Sequence, residues 1–207
     1  MSRYTGPKLR QARRFGEEFA MASDRSMAAK YVKNNHKQPP GQHGATKMFK
    51  KHTSFGLQLL EKQKARVFYH IGEKQMRLCY EEATRKQGSA SDNLLQILES
   101  RIDNVIYRAG LADSHPQARQ FISHRQFALN GKRVSIPSIS VKPGDKIEFV
   151  GKPKLKDIVA NYAEGNKPVS WLKVDAKTLT VEVATLPTRE EIEVPFNEQF
   201  IIEFYSR

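Results

Sequence analysis

The chain has one cysteine in 207 residues, Cys79, so it can form neither an internal disulfide nor a cysteine cluster for structural zinc. That usage fits a reducing cytoplasm, and Cys79, in the helical pattern RLCYEE, reads as packing. No uninterrupted apolar run approaches the roughly 18 to 20 residues needed to span a bilayer, and no apolar h-region of a secretory signal opens the chain. The first fourteen residues are Arg-rich and acid-free, as in an organellar transit peptide, but Gly6-Pro7 breaks the amphipathic helix such a peptide requires. Catalytic signatures are also missing. There is no phosphate-cradling glycine loop, HExxH, CxxC or GxSxG, and the carboxylates are scattered or in surface-like pairs such as Glu81-Glu82. The expectation is a protein that is no enzyme, needs no cofactor and binds no membrane.

What is abundant is positive charge. The formal net charge is +13, which points to a polyanionic partner, nucleic acid first. Residues 1–88 hold 19 Lys and Arg against 7 Asp and Glu, whereas residues 89–207 hold 16 against 15. This split suggests an anchoring arm joined to a more ordinary body. Residues 1–45, with Arg3, Lys8, Arg10, Arg13, Arg14 and Lys37 among few large apolar side chains, read as a basic extended N-terminal arm that orders mainly against its partner. Around Pro39-Pro40-Gly41-Gln42-His43-Gly44 the backbone is stiffened by proline and unhindered at glycine, so His43 and the following Lys47 and Lys50 can lie close to RNA; a flexible linker is the alternative. His36, His43 and His52 offer no partner set at metal-ligand spacing. From Ser54 to Lys86 two helices are expected, broken near Gly72, with Leu57, Leu60, Val67, Phe68 and Ile71 apolar on the first. Lys62, Arg66 and Arg77 fall between apolar positions as a basic outer face. Tyr69 could stack on an unpaired base or cap the core. Gln87-Gly88-Ser89-Ala90-Ser91 is the hinge into the next region.

Residues 97–136 carry the strongest pattern. Leu94, Leu98, Ile102, Val105, Ile106 and Ala109 recur at spacings of three and four, giving one helix with an apolar stripe that Gly110 ends. Ser114 is the expected cap of a second helix, with Pro116 in its first turn and Ala118, Phe121 and Ile122 buried. Asn130-Gly131 fits a two-residue type I′ hairpin turn, and Lys142-Pro143-Gly144-Asp145 a second turn before a strand at Lys146–Val150. On this reading Arg101, Asn104 and Arg108 form a solvent-facing polar row, joined by Arg119, Gln120, His124, Arg125, Lys132 and Arg133 from the second helix and hairpin. Guanidinium groups bind phosphate bidentately and amides reach 2′-hydroxyls and base edges, so such a rigid pair suits folded RNA. A merely solvated face is the alternative, as is a DNA-reading helix-turn-helix. His124 beside Arg125 reads as a phosphate neighbour rather than a general acid. Residues 153–207 hold 7 Lys and Arg against 9 Asp and Glu, a poor phosphate binder, with strands expected at Ser170–Val174 and Thr178–Val183 and Trp171 in the core. Asn197 can cap a short terminal helix, although alternation there also permits a strand.

The segments ESRIDNVIYRAGLA, ARQFISHRQFALNGKRV and SVKPGD closely resemble the RNA-binding module named after bacterial small-ribosomal-subunit protein four. PPGQHG, LQLLEKQKAR and NEQFIIEFYSR, outside the module, resemble the same ribosomal protein family. The resemblance implies an α+β fold: a helical domain at residues 46–91 completed by 185–207, with an RNA-binding module of helix-turn-helix and small, mainly antiparallel sheet inserted at 92–184. It implies a primary binder of small-subunit ribosomal RNA that acts early in assembly and does not read DNA. It further implies contact with neighbouring small-subunit proteins, especially protein five, at an interface that influences decoding accuracy, for which Glu190, Glu191 and Glu198 are the candidates, and a place near messenger RNA. Some members repress their own operon, leaving a translational repressor or assembly factor as the alternative function. Some hold zinc with four cysteines in the arm; here Leu9 and Ala12 stand where the first pair would be, implying a zinc-free form.

Overall fold

The structure, a computed structural model, describes residues 4, 6–35, 37–47, 51–166 and 168–207. The chain forms two compact units, residues 1–94 with 193–207 and residues 95–192.

In the first unit, α1 (Lys8–Phe15), α2 (Glu17–Ala22) and α3 (Arg25–Val32) pack on one another around buried Ala12, Phe19, Ala20, Met27 and Tyr31. Gly16, at φ 98°, makes the sharp joint between the first two helices, a backbone conformation glycine adopts without Cβ strain. Residues 8–32 are therefore a helical cluster and not the extended leader expected from composition. The apolar residues are few but converge on one point, and Lys8 is drawn in by a 3.1 Å ion pair to buried Asp24. Beyond the Pro39-Pro40 segment lies the single turn α4 (Gly44–Lys47).

The helices α5 (Ser54–Phe68) and α6 (Glu73–Arg85) break at Gly72 as the sequence suggests. Thr53 caps α5, its hydroxyl accepting from Gly56 N at 3.1 Å. The buried face of α5 is not the expected one. Leu57 is exposed, while Gln58, Glu61, Lys62, Ala65 and Phe68 are buried. The reason is the C-terminal helix α11 (Glu198–Tyr205), which packs along α5 and supplies polar partners. Gln58 Nε2 donates to Glu203 Oε2 at 2.7 Å, and Asn197 N donates to Glu61 Oε2 at 2.9 Å. The helical alternative for the terminus is the one realised, with Asn197 Oδ1 accepting from Gln199 N at 2.9 Å.

α7 (Ala90–Glu99) precedes the second unit's helix pair, α8 (Ile102–Arg108) and α9 (His115–Ser123). The expected continuous helix through 94–109 is thus interrupted at Ser100-Arg101. There Val141 N donates to Ser100 O at 2.8 Å and Ile102 N to Ile139 O at 2.9 Å, so a neighbouring segment takes backbone groups a helix would have used. The sheet has five antiparallel strands in the order β2-β1-β3-β5-β4: β1 (Phe127–Leu129), β2 (Lys132–Arg133), β3 (Lys146–Phe149), β4 (Leu172–Asp175) and β5 (Thr180–Val183). Asn130 and Gly131 make the hairpin turn with φ of 49° and 78°. A helix that sequence reading left out, α10 (Pro153–Gly165), contributes Val159 to a core shared with α8, α9, the sheet and Trp171.

Candidate nucleic-acid interface

The arginine row on the central helix pair does not face solvent. Arg101 is 4 % exposed and Asn104 2 %. Arg101 Nε and Nη2 donate to Asp103 Oδ1 and Oδ2 at 3.1 and 2.7 Å, and Arg119 Nη1 lies 4.0 Å from the same carboxylate. Arg108 makes a second two-pronged pair, its Nε and Nη2 at 3.1 and 2.7 Å from Glu99 Oε2 and Oε1. Glu99, only 1 % exposed, also accepts from Asn104 Nδ2, and Asn104 Oδ1 sits 2.9 Å from His115 Nε2. The interruption at Ser100-Arg101 causes this. It swings Arg101 out of the helical register and toward Asp103, and it puts Glu99 at the end of α7, where residues of α8 reach it. Asn104 and Arg119 therefore tie α8 to α9, Arg108 ties α8 to α7 and Arg101 closes on the first turn of α8, and buried charges of this kind must be paired to be tolerated.

Several first-unit candidates are likewise engaged. Lys62 is 6 % exposed, bonds Glu73 Oε1 at 2.8 Å and lies 4.1 Å from the Phe204 ring. Arg66 pairs with Glu73 at 2.9 Å and the exposed Arg77 with Glu81 at 3.1 Å. Burial opposes ionisation of Glu73, but hydrogen bonds from Lys62 and Tyr205 and the charges of Lys62 and Arg66 outweigh it, holding the carboxyl below its ordinary value. Tyr205 is pushed up, by burial first and then by its bond to Glu73. Tyr69 takes the core alternative: it is buried, with edge contacts to Phe68 and Phe196. Lys8 is committed to Asp24, while Lys37 has only a 3.8 Å exposed pair with Glu17. Arg13 Nε donates to Gln38 O and Arg14 Nη2 to Gln63 Oε1; Arg10 and His43 are exposed. Arg3, Lys50 and the side chain of Lys47 lie outside the described residues.

The segments carrying Arg125, Arg133 and Lys152 meet at the end of the sheet where β1 begins and β3 ends, while Lys142, Lys146, Lys173 and Lys177 are exposed elsewhere on the second unit. Gln126 organises this end: its backbone carbonyl accepts from Val150 N at 2.9 Å, its Oε1 from Lys152 N at 3.2 Å, and its Nε2 donates to His124 O at 2.7 Å. Arg133 Nη2 reaches Val150 O at 3.3 Å. The exposed side chains of Arg125, Arg133 and Lys152 belong to this end; with Lys132, opposite Leu129 at the hairpin turn, and Lys154 and Lys156, in the first turn of α10, they make up a cationic rim, and Gln120 and His124 are exposed on α9 and its cap. None of the six cations has an ion pair among the described residues. Arg125 holds a left-handed backbone, φ 57°, at the end of α9, a position where glycine is usual and another residue costs about 1 kcal/mol. The charge balance of residues 153–207 averages Lys154 and Lys156 against distant acids and so conceals them. Their signal was Pro153 opening a helix with Leu155 and Val159 four apart.

Among the acidic candidates, Glu190 is exposed. Glu191 is occupied locally: its Oε2 accepts from Thr188 N and Oγ1 at 2.9 Å each, and Oε1 from Ser170 Oγ. Those bonds, from Ser170 first, lower its carboxyl below the ordinary value. Glu198 lies in the first turn of α11, a favourable place for a carboxylate.

A packed helix pair feeding a β-hairpin, with unpaired cations beyond the hairpin, defines an S4-type module, and residues 100–147 match the S4 domain family. Residues 3–99 match the family described as ribosomal protein S4/S9 N-terminal domain. Curated relatives align end to end. The small ribosomal subunit protein uS4 of Dictyoglomus turgidum is 45% identical over 208 residues, that of Acetivibrio thermocellus 46% over 210 and that of Heliobacterium modesticaldum 44% over 211, each covering all of both chains. The chain belongs to the uS4 family of small ribosomal subunit proteins.

Proposed function

We propose that the chain is a structural constituent of the small ribosomal subunit in the cytoplasm, binding small-subunit ribosomal RNA and helping to nucleate the body of the subunit. The observation that carries this reading is the rim of Arg125, Lys132, Arg133, Lys152, Lys154 and Lys156, six exposed cations without carboxylate partners on an S4-type module. Cations already neutralised by neighbours release few counterions on binding, so these unpaired ones supply the phosphate attraction. Residues 92–184 act as the RNA-binding module, residues 46–91 with 185–207 as the helical domain, and residues 1–45 as a basic leader. The protein performs no catalysis. Glu190, with Glu191 and Glu198 nearby in sequence, faces a neighbouring ribosomal protein, protein five, through which decoding accuracy is influenced, close to messenger RNA.

Chemical footprinting of small-subunit rRNA with the whole protein tests this. A discrete set of protected nucleotides is expected, and a variant with Arg125, Lys132 and Arg133 all changed to alanine should lose part of that set. Protection that is absent, or identical for the variant, would remove the rim from the interface.

A further inference from the structure

The first unit contains an open groove of about 1150 Å³ lined by α1, the Pro39-Pro40 segment and α5. Among the described residues, no acidic one lines it. Arg10 and Lys51 enter it without ion pairs among the described residues, and Arg14 is held there by Gln63. Tyr4, Phe15 and His52 add flat aromatic faces, those of Tyr4 and His52 exposed.

We propose that this groove receives unpaired RNA nucleotides, their bases inserted against the aromatic faces and their phosphates held by Arg10, Arg14 and Lys51. The inference rests on the RNA-binding reading above and specifies what the first unit takes. A duplex presents a convex, phosphate-lined surface with its base faces stacked out of reach, which leaves the aromatic faces unused. Splayed single-stranded bases offer ring faces beside their phosphates, the combination that a lining of aromatic faces and cations receives. The size suits the ligand, since it lies just above the roughly 300–1,000 Å³ typical of small-molecule clefts, enough for more than one nucleotide.

The test uses the full chain with a six-nucleotide single-stranded RNA carrying one 2-aminopurine, a six-base-pair duplex of the same composition, and a transcript of small-subunit rRNA. The hexamer should bind at least about tenfold more tightly than the duplex, with quenching of the 2-aminopurine as it stacks. Tyr4→Ala should abolish most of the quenching, and Arg10→Ala should weaken hexamer binding by about five- to tenfold without changing the far-UV circular dichroism. Lys51→Ala, outside every helix, gives a second measure of the phosphate contact should Arg10→Ala fold poorly. A duplex bound as well as the hexamer, or quenching unchanged in all three variants, overturns the proposal. If the hexamer is ignored while the rRNA transcript binds, the groove assignment falls and the RNA-binding reading stands; if neither binds, that reading falls with it.

Discussion

Replacing Arg108 with methionine separates a structural guanidinium from an RNA ligand. In the protein its two nitrogens lie 2.7 and 3.1 Å from Glu99, and the Glu99 side chain is almost fully enclosed. The substitution keeps most of the aliphatic stem and removes the charge, taking both guanidinium hydrogen bonds from the buried carboxylate while the Asn104 amide stays. Stranding one member of a buried pair costs about 3–5 kcal/mol. The Arg108 side chain retains 16% exposure, so the low end, about 3 kcal/mol, is appropriate. For a chain of this length each kcal/mol moves the melting temperature by roughly 2–4 °C, so a drop on the order of 10 °C is expected by calorimetry. The double variant Glu99→Leu with Arg108→Met should recover most of that loss, because replacing both members of a buried pair with apolar side chains is close to neutral. At a temperature where both proteins are folded, rRNA affinity should be unchanged within about twofold, since an interaction worth about 1 kcal/mol would shift it more. A melting temperature within a degree of the parent, combined with a tenfold loss of RNA affinity, would refute the reasoning and return Arg108 to the interface.

At Arg125, Arg125→Gly should raise stability by about 1 kcal/mol, by relieving the left-handed backbone, while weakening rRNA binding; weaker binding without stabilisation would mean that φ is not strained. Lys132→Ala with Arg133→Ala should leave the melting temperature in place and lower the slope of log affinity against log salt by about one for each phosphate that is no longer neutralised, and an unchanged slope would count against the rim. Gly110→Ala, where φ is 79° and a Cβ would meet the Asn166 Cβ at 2.6 Å, should destabilise by about 1–3 kcal/mol in a urea titration. Glu73 has a lowered folded-state value, so its stabilisation is complete above the unfolded value near 4.5 and is lost as pH falls through the lower folded value; near-UV circular dichroism should show acid loosening that Glu73→Gln largely removes.

Local chemistry was readable wherever it decided the structure alone. The Asn130-Gly131 turn, the Lys142–Asp145 turn, the break at Gly72 and the cap at Asn197 each depend on one or two residues and their immediate neighbours. The interruption at Ser100-Arg101 does not. Apolar spacing runs unbroken from Leu98 through Ile102 to Val105, and what ends the helix is hydrogen bonding to residues 139–141, some forty positions away. The face of α5 was misread for a similar reason. Gln58, Glu61 and Lys62 are unfavourable in a core until α11 and Glu73 supply their partners, and those partners arrive from 145, 136 and 11 positions along the chain.

The candidate site failed and succeeded on one physical distinction, between charge that is present and charge that is free. Helical spacing puts Arg101 and Arg108 on one face but says nothing about whether a carboxylate waits there. Asp103 and Glu99 do wait there, and both were visible in the same stretch as ESRID. An acid two residues beyond Arg101, and another nine before Arg108, were counted in the net charge but not paired geometrically, because a continuous helix would have put Glu99 and Arg108 more than two turns apart. Breaking the helix closes that gap. Lys154 and Lys156 show the converse: the charge balance sets them against Glu190 and Glu193, although no carboxylate lies within ion-pair reach of them among the described residues. Phosphate attraction follows the unpaired charges, so adding a carboxylate beside the rim, as in Ser123→Glu on the exposed end of α9, should weaken rRNA binding severalfold at low salt and progressively less as salt rises. An effect independent of ionic strength would show that the rim acts by shape and not by charge.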